Sequence, residues 1–115
     1  MLKRLLSLLI FTLPLSLLGA ERDYQEKWCA EMGGKTEVSV EGGRVDCLTE
    51  IYAIEVDHAK KWKQAIAQAR WYGLQTGKRP GILLIVGPGD QRYVDYIEEY
   101  KAGYDIYLRV WTIEK

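Results

Sequence analysis

Asp46, Glu55 and Asp57 stand close together in the stretch from Gly43 to Tyr72, and Lys61, Gln68 and Tyr72 follow them. Carboxylates gathered at one place hold a hard divalent cation through oxygen. A lysine and a polar helix face beside them suit a phosphodiester. The question is whether the chain positions these groups together.

A strand turns every second side chain to the same face. Glu55 and Asp57 therefore share one face, and Ile54 and Val56 share the other. Arg44 to Leu48 and Ile51 to Asp57 read as a hairpin about Thr49-Glu50. A two-residue turn there sets Leu48 opposite Ile51 and Asp46 opposite Ala53. Asp46 then lies on the side of Glu55 as its diagonal neighbour, about 7–8 Å away, close enough to share one metal ion. The same register places Val45 and Cys47 with Ile54 and Val56 on the apolar face. A charged strand face open to water is the plainer reading of these acids.

A helix is expected from about Ala59 to Thr76, stopped by Gly77, with Pro80 as a second stop. Ala59, Trp62, Ile66, Ala69 and Gly73 follow the spacing of one packed face. Lys61, Gln68 and Tyr72 fall on another line, along the flank of that stripe. As an ordinary boundary pair, Gln68 and Tyr72 need no ligand. Lys60, Lys63, Arg70, Lys78 and Arg79 form a local positive patch, or a solvated helix face.

The other elements frame this segment. Glu21 to about Met32 reads as a helix with Tyr24, Trp28 and Met32 inward, ended by Gly33-Gly34. Thr36 to Val40 alternates as a strand, and Gly42-Gly43 turns it. Gly81 to Gly87 is a short apolar run between glycines, a strand buried on both faces. Gly87-Pro88-Gly89 turns the chain, and Asp90 caps a helix to about Lys101. That turn opens a helix, where anions can bind, but it lacks a full phosphate-loop motif. Tyr104 to Ile113 alternates as a last strand, with Tyr107, Arg109 and Trp111 on one face. Those three suit base stacking or plain packing. The order is a small α/β sandwich.

Met1 to Ala20 has a basic start (Lys3, Arg4), an apolar run from Leu5 to Leu18 and then Gly19-Ala20. This is the layout of a signal peptide, with an uncleaved anchor as the alternative because Leu18 is large for its position. Cleavage after Ala20 leaves one domain, residues 21–115, exported to the periplasm or outside the cell, with no stable membrane insertion. Without Lys3 and Arg4 that domain has 14 basic and 16 acidic side chains, a net charge of about −2. A broad nucleic-acid-gripping face is excluded by that balance, and a local patch is not. In an oxidising compartment Cys29 and Cys47 form a disulfide; two cysteines and the single His58 make a poor zinc set. His58 reads as a residue near the helix cap, a neighbour of the site, or a surface group.

The segment resembles the PD-(D/E)xK nuclease superfamily. Its core is a helix, a three-strand meander, a helix and a strand, the order read above. The likeness implies a restriction-endonuclease-like αβββαβ core with an added C-terminal helix and strand. Asp46 matches the first metal-binding Asp and Glu55 the second acid. Gln68 and Tyr72 match the QxxxY helix motif of the exonuclease-like branch, which contacts DNA. An acid from the first helix sometimes joins, here Glu26 or Glu31. The family carries Lys two residues after the second acid, and this chain has Asp57. Some members move that lysine to the next helix, which points to Lys61, with Lys60 second; Asp57 is then a further metal ligand. The implied activity is Mg²⁺- or Mn²⁺-dependent hydrolysis of nucleic acid, of which DNA is the expected form. The alternative is an exported binding or inhibitory module on the same fold without catalysis.

Overall fold

The structure is a computed structural model, and it describes residues 21–115. The expected signal segment, residues 1–20, lies outside the described residues. The chain is helical over residues 21–31 (α1). Then come β1 (Lys35–Val40), β2 (Gly43–Leu48), β3 (Tyr52–His58), a 3₁₀ turn (Ala59–Lys61), α2 (Trp62–Thr76), β4 (Arg79–Val86), α3 (Gln91–Tyr104) and β5 (Arg109–Glu114). The fold is α/β, a five-stranded mixed sheet with three helices, in the element order read from the sequence. The strands lie in the order β1-β2-β3-β4-β5. β1, β2 and β3 pair antiparallel, while β3, β4 and β5 pair parallel.

Parallel neighbours need crossovers, and α2 and α3 supply them. Right-handed crossovers that move in one direction put both helices on one face. Ala65, Ile66 and Ala69 of α2 and Ile97 of α3 meet Ile82 and Leu84 of β4 there. α1 covers part of the other face. Tyr24, Trp28 and Cys29 pack on Ile54, Val56, Leu83 and Ile85. β4 is thus covered on both sides, and Ile82 to Ile85 are fully buried. Burying one such aliphatic side chain stabilises by roughly 1.5–3 kcal/mol.

α2 stops where expected. Gly77 takes φ 70°, a left-handed geometry that glycine adopts without a Cβ penalty. Cys29 and Cys47 form a disulfide across 18 residues, with 5.7 Å between their Cα atoms. It ties α1 to β2.

Four local readings change. The β2–β3 register is Cys47↔Ile54 and Leu48↔Ala53, two residues from the expected one. The loop is longer because the Thr49 hydroxyl accepts the backbone N–H groups of Ile51 (3.2 Å) and Tyr52 (2.8 Å), building its own turn. A slip of two keeps the sides, so Asp46 comes directly opposite Glu55 rather than diagonal to it. Val45 leaves the predicted face and packs with Ala53 and Tyr72, while Cys47 stays with Ile54. Glu37, which the β1–β2 register sets opposite Asp46, has φ 55°, so the left-handed residue of β1 lies beside the break in β2. Asp90 makes no side-chain cap to α3; its Oδ2 accepts the Gly87 N–H at 2.7 Å instead. That carboxylate takes a donor an anion would need. Finally, α3 runs on to Tyr104 and β5 begins at Arg109.

Candidate functional site

Backbone pairing between β2 and β3 ends at Cys47↔Ile54. One step further, the Asp46 side chain takes over. Its Oδ2 accepts the Val56 N–H at 2.8 Å. The freed Asp46 carbonyl accepts Gln25 Nε2 of α1 at 2.9 Å, and the same amide reaches Glu37 Oε1 at 2.9 Å. Gln25 is buried, so both bonds lie largely out of water. A side chain thus replaces a rung of the ladder, and a cleft of about 310 Å³ opens there. Glu21, Arg22 and Gln25 of α1, Glu37, Arg44, Asp46, Glu55, Gln68 and Tyr72 line it.

Asp46 and Glu55 stand side by side, close enough for each carboxyl to act on the other. Glu55 is 7% exposed. Burial and the Asp46 charge push its carboxyl up to about 10, and Asp57 and Glu21 add to the effect. Burial also raises Asp46, while the Val56 N–H and Glu55 oppose that rise. The pair therefore holds a proton at neutral pH. Two carboxylates this close are stable only with a proton or a cation between them.

Asp57 sits one step along β3 and does not line the cleft. Its Oδ1 accepts the N–H of His58 at 2.9 Å. Burial raises it, while the His58 N–H and Lys61 pull it down. Among the described residues, no three His, Cys, Asp or Glu side chains are already gathered to hold a metal ion. The structure thus assembles the pair Asp46 and Glu55 but not the expected trio.

The acid from α1 is Glu21 rather than Glu26 or Glu31. Glu26 is exposed, and Glu31 lines a separate groove with Asp23 and Ile113. Burial, then the charges of Asp57 and Asp46, raise the Glu21 carboxyl. Its Oε2 lies 3.8 Å from His58 Nε2. Burial lowers His58, so the ring is uncharged at neutral pH. The sequence signal for Glu21 and Gln25 was their spacing of four on one helix face, next to the inward Tyr24 and Trp28.

On α2, Gln68 is exposed and faces the cleft. Tyr72 lines the same cleft from below. Only 7% exposed, it is core, packed with Val45 and Ala53. Its hydroxyl reaches the Arg44 backbone, and burial followed by Glu55 raises its pKa. Gly43 makes room for it: a Cβ there would meet the Tyr72 hydroxyl at 2.7 Å. Next to it, Trp71 Nε1 donates to the Glu41 carbonyl at 2.8 Å and lies over Gly42. Two adjacent aromatics thus pin the β1–β2 hairpin to α2.

Lys61 lies at the start of α2 and is exposed. Its charge reaches Asp57, Glu21 and His58, whereas Lys60 acts on His58. Neither lysine makes an ion pair within 4.0 Å among the described residues. No helix among them is long and apolar enough to cross a membrane.

The chain is 31% identical over 91 residues to a KilA-N domain-containing protein of Acanthamoeba polyphaga mimivirus. The match covers 79% of this chain and 37% of the viral protein. No family model and no solved structure matches the chain.

Proposed function

We propose that the chain is an exported, metal-dependent phosphodiesterase acting on nucleic acid, with DNA as the expected substrate, on a restriction-endonuclease-like core. The observation that carries this reading is the cleft itself. Asp46 and Glu55, brought into contact where the ladder splits, share it with Gln68 and Tyr72. The likeness to the viral KilA-N domain-containing protein supports a nucleic-acid partner. The Cys29–Cys47 bridge supports export.

The donor set fits a hard divalent cation. It is all oxygen and negative, and the repulsion raising Glu55 is what such a cation relieves. Asp46 and Glu55 would hold Mg²⁺ or Mn²⁺, with Glu21 and Asp57 adding negative charge nearby. When bound, the ion polarises a phosphate and makes a water more acidic. The chain supplies the rest. The Val56 N–H and Gln25 fix Asp46 on both sides. Tyr72 holds α2 against β2 and β3 at the cleft floor. Gln68 and Arg44 offer donors to a phosphate or base edge. Lys61, reaching from the start of α2, offsets charge developing on the phosphate.

A second reading has its own observation. Asp57 stands where the superfamily keeps lysine, and Lys61 makes no ion pair with the acids. On that reading the chain is a binding or inhibitory module without catalysis.

Incubating the disulfide-bonded chain with linear and single-stranded DNA, with Mg²⁺ or Mn²⁺ and with chelator, separates the two. Metal-dependent cleavage that Asp46→Ala and Glu55→Ala abolish establishes the enzyme. No cleavage and no saturable metal binding leaves the module. Lys61→Ala should lose most of the activity while Lys60→Ala keeps it; equal activity in both removes Lys61 from the mechanism.

A further inference from the structure

α1 covers only part of its face of the sheet. Strand alternation puts Tyr52 of β3 on that face with Ile54 and Val56. Register pairs Tyr52 with Arg79 of β4, and Gly81 with Arg109 of β5. Tyr107 lies two residues before Arg109, so it falls in the row of Tyr52 and Arg79. These groups interlock. The Tyr52 and Tyr107 hydroxyls are 3.4 Å apart, and Arg79 donates to the Tyr107 hydroxyl at 3.4 Å. The Arg79 guanidinium lies 5.2 Å from the Tyr107 ring centroid, and that of Arg109 lies 5.5 Å from the Trp111 centroid. Trp111 meets Tyr52 edge-on and sits against Gly81, where a Cβ would come within 2.7 Å of its ring.

Two features mark this surface as more than packing. Tyr107 is 55% exposed, yet it is held by a hydroxyl and a guanidinium. Neither Arg79 nor Arg109 has a carboxylate within ion-pair reach among the described residues. Other cation–carboxylate pairs do form, such as Arg44 with Glu37. The local charge is positive on a domain that is near neutral. An exposed aromatic ring, backed by half-buried Tyr52 and Trp111 and flanked by unpaired guanidinium groups, matches a ligand that alternates flat rings with phosphates. The patch lies at the start of β3, about 10 Å along the strand from Glu55 at 3.3 Å per residue, and on the opposite face.

We propose that Tyr52, Arg79, Tyr107 and Arg109 form a second site that binds single-stranded nucleic acid, with bases stacked on Tyr107 and phosphates on the two arginines. The site does not depend on the acid cleft or on catalysis.

Fluorescence anisotropy of short labelled oligo-dT and oligo-rU, with the full disulfide-bonded chain in excess chelator, tests this apart from any hydrolysis. Saturable binding is expected, weakening with salt and stronger for single strands than for a duplex of the same length. Arg79→Ala with Arg109→Ala should weaken it roughly tenfold or more and flatten the salt dependence. Tyr107→Ala should weaken it roughly fivefold or more, and Tyr107→Phe should restore it, because the ring is what stacks. All three side chains are exposed, and unchanged thermal unfolding confirms that each variant is folded. Arg92→Ala, which removes an exposed positive charge on α3, should bind nearly as the parent chain does. Affinity unchanged in the arginine and Tyr107 variants overturns the proposal. So does tighter binding of the duplex, or displacement of the strand by polyglutamate, which would mark a surface for acidic protein.

Discussion

Glu55→Gln removes one titrating proton and keeps the shape of the protonated acid, including a donor toward Asp46. In the folded chain the Glu55 carboxyl is raised from 4.5 to about 10, first by burial and then by Asp46. An acid whose pKa is higher folded than unfolded binds more protons in the native state. Stability is therefore greatest below the unfolded value and is lost as pH rises from there toward the folded value. Each unit of pH in that window costs about 1.36 kcal/mol at most. Between 4.5 and neutrality the limit is about 3 kcal/mol, counted once for the pair because Asp46 and Glu55 hold one proton between them. Asp46, Asp57 and Glu21 are shifted in the same direction. His58 acts oppositely, since its lowered pKa removes stability as pH falls below 6.5. Comparing Glu55→Gln with the parent chain cancels that term. Urea unfolding in chelator should find the two nearly equal at a pH of about 5 and the variant more stable by about 2–3 kcal/mol at about 8. Added Mg²⁺ at the higher pH should close part of that gap by stabilising the parent. A stability difference that does not change between the two pH values would refute the raised acid pair.

The remaining predictions concern what holds the cleft. Tyr72→Ala should cost about 3–5 kcal/mol, as for other large buried aromatics, while Tyr72→Phe should cost about 1 kcal/mol; chemical denaturation measures both. Comparable costs for the two would mean that the ring is not core. Replacing Cys29 and Cys47 by Ser should remove about 3 kcal/mol for a loop of this length. Equal midpoints for bridged and unbridged chains would show that the disulfide contributes nothing.

Much of the fold was legible because its signals are strong. The apolar run at Gly81 to Gly87 and the stripe from Ala59 to Gly73 allow few other structures. The side on which the acids lie was legible too, since a period of two survives a register error of two. What stayed hidden were single side chains acting as backbone. The Thr49 hydroxyl rebuilt a turn, and the Asp46 carboxylate replaced a ladder acceptor. Neither act has a signature in residue type or spacing. Val45 and Cys47 pack on opposite faces although two residues apart, and Glu37 on the neighbouring strand is left-handed, a geometry that only glycine or asparagine would have announced. Tyr72 was read by its polar end, but its ring decided where it went. Glu21 follows directly on residues with the pattern of an export signal's end, which masks its place in the cleft.

The order of the five strands decides where ligand chemistry can sit. In many open sheets a ligand lies in the crevice made where successive crossovers depart in opposite directions. Here β3, β4 and β5 follow one another without reversal, so α2 and α3 leave no such fork between them. The one discontinuity is the seam at which antiparallel pairing gives way to parallel. β3 belongs to both halves, and its outer neighbour β2 is free to peel away at Asp46 without disturbing β4. Substitutions in the buried core of the parallel half, beneath the exposed Arg79, Tyr107 and Arg109, should therefore be felt as stability, and substitutions of the acids along the seam as function too.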